Sequence, residues 1–275
     1  MRAIKYLIVL LLLFSVQSVI SQKSDEAEST GASIKTKSVR MIIRTAPKFT
    51  LQISGGYNHG IYELSGNDNG DFNSMQFYNG ENYGVRHGLG GIITAKIPLH
   101  EKGNIRFNVS GMYNKFNSKI IENKDGGFAN FNVFSGVLGL ENNFTPSYRF
   151  KTLIGAGLVA SVISGNAHVV NEKIDRNVDI KPAFRLGITF YSGFEYLLND
   201  NMGFNLGYQF TQANLWLKSA KSSNDEKSVY LNDSRVTPRI PYSGWKQFAW
   251  GSFYGGLNIY FGIIKKDYVI KNFIK

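Results

Sequence analysis

Apolar side chains recur on alternate positions along most of this chain, in runs far longer than an ordinary strand. The clearest pair spans 183–217. Phe184, Leu186, Ile188, Phe190, Phe194, Tyr196 and Leu198 share even positions, with Arg185, Gly187, Thr189, Gly193 and Glu195 between them. After Asn199, Asp200 and Asn201 the pattern resumes: Met202, Phe204, Leu206, Tyr208, Phe210 and Trp216 against Gly203, Asn205, Gly207, Gln209 and Thr211. A strand sends successive side chains to opposite faces, so each run has one oily face and one small, polar or charged face. Asn and Asp tolerate left-handed backbone and bond it locally, which predicts a tight turn at 199–201.

Six further runs follow the same rule. They are predicted at 49–63, 84–99, 105–120, 128–144, 148–165 and 246–264. In the run at 128–144 the parity is mixed. Phe131 and Val133 are odd while Phe134, Leu138 and Leu140 are even, which predicts a β-bulge near Phe134. The connections alternate in length. Turns near 100–104, 145–147 and 199–201 are short, and a modest loop covers 122–127. The segments 64–83, 166–181 and 218–245 read as long loops; the first carries Gly66-Asn67-Asp68-Asn69-Gly70.

The chain has 275 residues, with Phe 20, Tyr 15, Gly 29 and no cysteine, so disulfides and thiolate metal sites are excluded. Arg2 and Lys5, the apolar stretch from Tyr6 to Phe14, and Val19, Ile20 and Ser21 predict a signal peptide over 1–21. Its removal takes the formal charge from +11 to two fewer. No later stretch is long and apolar enough for a membrane helix. Residues 22–46 read as a polar periplasmic leader, 47–264 as one domain, and 265–275 as a short basic tail. The cations gather at strand ends and loops, among them Lys218, Lys227, Lys246 and Lys265, rather than on one periodic face. That favours a basic rim beside anionic lipid over nucleic-acid binding.

Eight long alternating strands, with both chain ends on the short-turn side, predict an all-β, eight-stranded antiparallel up-and-down transmembrane β-barrel. A soluble ligand carrier also has eight strands, with its apolar face inward. Strand length, aromatic residues near strand ends, and a glycine-rich polar face favour the arrangement with the apolar face outward. The signal peptide, the loop asymmetry and the last strand, Phe253-Tyr254-Gly255-Gly256-Leu257-Asn258-Ile259-Tyr260-Phe261, resemble the small outer-membrane barrels of OmpA, OmpX and OmpW type. The resemblance covers 49–264. It implies a bacterial outer-membrane location. In that group the chain usually ends at an aromatic residue, whereas this one continues past Phe261 to Lys275.

On this facing Arg86, Lys96, Arg106, Glu141, Lys151, Arg185 and Glu195 point into the lumen. Buried charges need partners, so the two glutamates are expected to meet Arg or Lys there, forming a plug rather than a conduit. Four histidines are present. His59 and His87 fall near the outer strand ends, within reach of Ser65 or Asp68, but no motif fixes a nucleophile beside a base. His100 and His168 lack ligand-spaced partners. Gly88-Leu89-Gly90-Gly91 and Gly155-Ala156-Gly157 lie inside strands, unlike dinucleotide-binding turns. The expectation is therefore no enzyme, no cofactor and no metal. It is a structural or surface-interaction barrel acting through its long extracellular loops 64–83, 166–181 and 218–245, with outer-membrane lipids and an extracellular or envelope protein as partners and no nucleic acid. Small-solute passage, or an accessory role in an envelope or secretion machine, is the alternative.

Overall fold

The structure, a computed structural model, describes residues 37–66, 72–122, 126–172, 174–219, 227–234 and 246–272. In chain order the elements begin with β1 (Lys37–Arg44), β2 (Phe49–Ile61), a short helix α1 (Ser74–Asn79), β3 (His87–Pro98), β4 (Ile105–Asn117) and β5 (Gly127–Asn143). They continue with β6 (Phe150–Asn171), β7 (Ile174–Leu197), β8 (Met202–Trp216), β9 (Ser228–Val229), β10 (Ala249–Phe261) and β11 (Lys265–Asn272). The predicted signal peptide lies outside the described residues. Part of the predicted leader and tail is strand instead: β1 and β11 pair with each other in a separate two-stranded sheet.

Eight strands close into a barrel in the order β2-β3-β4-β5-β6-β7-β8-β10. Each is antiparallel to its neighbours, and β10 returns to β2 in unbroken register from Ala249 opposite Ile61 to Phe261 opposite Phe49. Closure removes the free edges that an open sheet would expose to acyl chains. At one end the connections are tight. The turn after β7 forms as its residues predict, with Asn199 Oδ1 accepting from the backbone N–H of Asn201 at 2.9 Å and of Met202 at 2.8 Å.

The two faces separate by chemistry. On β3 and β4, Leu89, Ile93, Ile97, Ile105, Val109 and Tyr113 are exposed, while Thr94, Lys96, Arg106, Asn108 and Asn114 are buried. Leu89 is 70% and Leu158 62% exposed, extreme values for leucines in regular strands. Behind this belt the inside holds the polar residues, so this is not a soluble carrier turned around a ligand. On β6 the outward apolar series runs from Phe150 through Ile154 and Leu158 to Val162. At ~3.3 Å per residue and ~45° tilt it covers about 28 Å, against the ~25 Å an apolar band requires. Beyond Val162 the outward positions become Asn166 and His168.

Several sequence expectations are corrected. Segment 166–181 is not a loop, because β6 continues to Asn171 and β7 begins at Ile174. Its inward residues Ala167, Val169, Val178 and Ile180 are buried, so alternation persists past the membrane edge. No bulge occurs near Phe134. β5 alternates without a break, odd residues inward, and the register shifts fall at Ile163/Gly165 and Leu186/Ile188. Phe131 and Val133 are apolar and inward because the outer part of the lumen is not polar. Residues 72–83 of segment 64–83 also fold. Asn73 caps α1 by accepting from Gln76 N–H at 3.0 Å, and Gly80 ends it at φ +69°.

Candidate functional site

The lumen is layered. At the short-turn end, Lys96 on β3, Arg106 on β4, Glu141 on β5, Lys151 on β6 and Glu195 on β7 are all buried. Strand pairing places Arg106 directly opposite Glu141, and Lys151 opposite Glu195. Lys96 Nζ lies 2.8 Å from Glu195 Oε1 and 3.3 Å from Glu141 Oε2. Arg106 reaches Glu195 with Nη2 at 2.7 Å and Nη1 at 3.3 Å, and also contacts Glu141. Asn108 Nδ2 donates to Glu141 Oε2 at 3.3 Å, and Tyr260 Oη donates to Glu195 Oε2 at 3.4 Å. Lys151 Nζ stands 4.5 Å over the Tyr260 ring. Each ion withdrawn from water carries a penalty of several kcal/mol, so such a layer persists only where the charges share partners.

Above it lies a mixed layer with a cavity of about 30 Å³, lined in part by Thr94, Asn108, Met112, Thr189, Gln209 and Tyr254. That is room for about one or two waters. Gln209 Nε2 donates to Thr189 Oγ1 at 2.9 Å and to Thr211 Oγ1 at 3.2 Å.

The outer third is a hydrophobic core of the kind a soluble domain has. Phe116, Phe131, Val133, Ile163, Phe248 and Trp250 project from the wall into contact with Leu64, Phe72, Phe77, Tyr83 and Val85 of the β2–β3 connection. Ring centroids are 5.4 Å apart for Phe116 and Trp250, and 5.3 Å for both Tyr83–Phe131 and Phe131–Phe248. Sequence reasoning missed this core. Its wall residues alternate like any others, and its loop residues sit in a stretch dominated by Gly, Asn and Asp. Burial pushes the Tyr83 hydroxyl well above the usual phenol range, helped by Asp233 and Glu63 nearby. Burial lowers the Lys246 ammonium, against Glu81, Asp233 and Glu63, which act in the opposite sense. Lys246 Nζ also donates to the Asn79 carbonyl at the end of α1.

Two of the seven expected lumen charges lie elsewhere than in the inner layer. Arg86 is exposed. It belongs to the connection rather than to β3. Gly84, at φ +62°, turns the chain so that Val85 points inward and donates its N–H to Leu64 at 2.8 Å. Arg185 is buried at the outer end, paired with neither glutamate. Its Nε and Nη2 grip Asp233 at 2.7 and 2.8 Å. Asp233 also accepts from Asn214 Nδ2 at 2.9 Å and Ser219 N–H at 3.0 Å, tying the β8–β10 connection to the wall. No local signal singled out Asp233. Changing Asp233 to Asn keeps the shape but removes the charge. It is expected to cost about 1–3 kcal/mol, read as a lower unfolding midpoint with earlier protease cleavage between 218 and 234.

His59 and His87 stand opposite each other on β2 and β3, on the outer surface of the wall. His59 Nε2 bonds Tyr208 Oη at 3.2 Å, and His87 Nδ1 bonds Tyr57 Oη. Ser65 Oγ donates to the Tyr62 carbonyl at 3.0 Å. Asp68 lies outside the described residues. These contacts form an aromatic-imidazole girdle and assemble no nucleophile with a base. His168 Nδ1 bonds Asn177 Oδ1 at 3.1 Å. Among the described residues no three His, Asp or Glu side chains gather as a metal site.

No protein-family model matches the sequence, and no curated protein matches it. Among solved structures, Neisserial surface protein A is similar over 78% of this chain and 99% of its own, at 15% identity and a TM-score of 0.44. The N-terminal β-barrel domain of Pseudomonas aeruginosa OprF is similar over the same shares, at 11% identity and 0.37. Ail, the attachment invasion locus protein of Yersinia pestis, solved with the heparin analogue sucrose octasulfate, is similar over the same shares, at 10% and 0.38. The closed ring of strand pairs and the outward apolar belt of this chain establish the architecture by themselves: an eight-stranded barrel of the outer-membrane type.

Proposed function

We propose that this protein is a bacterial outer-membrane barrel with a structural and surface-interaction role, its lumen plugged by ion pairs and its outer end presented to partners. The observation that supports this reading best is the closed outer lumen, where Leu64, Phe72, Phe77 and Tyr83 pack between Phe131, Phe248 and Trp250. An apolar seal of this depth above a buried ion-pair layer opposes passage of solutes. The belt meets membrane lipids. Beyond it the β6–β7 hairpin offers an outward polar surface that includes Asn166, Asn177 and Asp179. Polar surface held on a rigid hairpin suits recognition of an extracellular or envelope protein. No catalytic group or cofactor enters this reading.

Two measurements test it. Purified protein in a planar bilayer is expected to give no unitary conductance steps; reproducible steps would overturn the plug. Cross-linking on intact cells is expected to capture a partner that is lost when Asn166, Asn177 and Asp179 are changed to Ala together. Undiminished capture by that variant would remove the hairpin from the interaction.

A further inference from the structure

We infer that the inner mouth of the barrel binds a small monovalent anion, of chloride size, between Lys151, Asn143 and Arg106. The first observation is charge. Three cations, Lys96, Arg106 and Lys151, share the inner layer with two carboxylates, Glu141 and Glu195, and all five are buried. Lys96 and Arg106 each engage both carboxylates. Lys151 faces Glu195 in the β6–β7 ladder, yet its Nζ has no hydrogen-bond partner among the described residues. A buried ammonium without an acceptor leaves a positive charge to be met.

The second observation is a set of donors. Asn143 Nδ2 and Arg106 Nε are likewise buried without a partner among the described residues. The Asn143 amide is oriented, because its Oδ1 accepts from Thr145 N–H at 3.1 Å and so turns Nδ2 the other way. The third observation is placement. Asn143 pairs with Leu153, two residues along β6 from Lys151, and follows Glu141, the partner of Arg106, by two on β5. Asn143 on β5 is therefore a diagonal neighbour of both Arg106 on β4 and Lys151 on β6, about 7–8 Å from each in backbone and closer at long side chains, with all three on the inward face. The Tyr260 ring steers the ammonium, while its hydroxyl donates to Glu195 at 3.4 Å and accepts from Asn258 Nδ2 at 3.1 Å.

One ammonium, one guanidinium N–H and one amide N–H without acceptors suit an anion. The interior of an eight-stranded barrel is filled by its own side chains, which limits the guest to a small one. The inference concerns the inner mouth and is independent of what the outer surface binds.

The test uses the full mature chain refolded in uncharged detergent. Its unfolding midpoint is followed as gluconate is replaced by chloride at constant ionic strength. The midpoint is expected to rise and follow a saturation curve, as for a ligand that binds only the folded state. Lys151→Met is expected to lose this chloride response, while Lys181→Met, on the outer part of β7, keeps it. Should Lys151→Met fail to fold, chloride-35 line broadening by the unaltered barrel, reversed by bromide, reads the same site. A midpoint that is the same in chloride and gluconate, absent line broadening, or a chloride response that survives Lys151→Met would each overturn the proposal.

Discussion

Replacing Glu195 by Gln is expected to destabilise the barrel by about 3–5 kcal/mol, the usual cost of removing one partner from a buried charge cluster. Glu195 is fully buried and receives Lys96, Arg106 and Tyr260. Without its charge, three buried cations would share Glu141 alone. The loss is read from urea unfolding in detergent, with the mobility difference between folded and unfolded barrel on a gel as the probe. Adding Lys96→Met should return part of it, since the second change removes one of the stranded cations. The double-mutant cycle then gives a coupling well above the few tenths of a kcal/mol typical of distant sites. An effect of Glu195→Gln below about 1 kcal/mol would mean that the layer is hydrated and that its pairs carry little of the fold.

Trp250→Ala is expected to cost about 3–5 kcal/mol as well, by a different route. Trp250 is 1% exposed and packs against Phe116 and Phe248. Its removal leaves a cavity in a core closed on one side by a rigid wall and on the other by the 72–85 segment, so collapse is limited. Phe253, three residues further along β10, is 59% exposed and meets Tyr208 on the lipid side. Phe253→Ala should cost less than about 1 kcal/mol in detergent, because mobile alkyl chains refill the space where neighbouring side chains cannot. The contrast between two aromatics on one strand is the measurement. Equal losses would mean that the outer lumen is not a packed core.

The strand faces were legible because the period of a strand is two and an apolar belt admits few exceptions. Leu89, Ile93 and Ile97 against Thr94 and Lys96 is a pattern that one register satisfies. The inner ionic layer was legible for the same reason, since Lys96, Arg106, Glu141, Lys151 and Glu195 all lie within regular strand. The reading failed where strand parity ended. Arg86 has the parity of the lumen face but precedes the first pair of β3, and Gly84 reverses the facing. Phe131 suggested a bulge only because an apolar residue was assumed to face lipid. The aromatic content of the 72–85 segment went unread for the opposite reason, being hidden among turn residues.

Taken alone, the sequence specified an eight-stranded barrel with one oily face, because alternation has a period of two; strand length, aromatic residues near strand ends and a glycine-rich polar face turned that oily face outward. Which charge meets which was decided only by closure. Arg185 finds Asp233 rather than Glu195, and Glu141 and Glu195 converge on the same two cations. Strand pairing across the ring sets those distances, and no offset along the chain encodes them. The apolar seal at the outer end was decided in the same way, by a connection folding back between walls that exist only once the ring has closed.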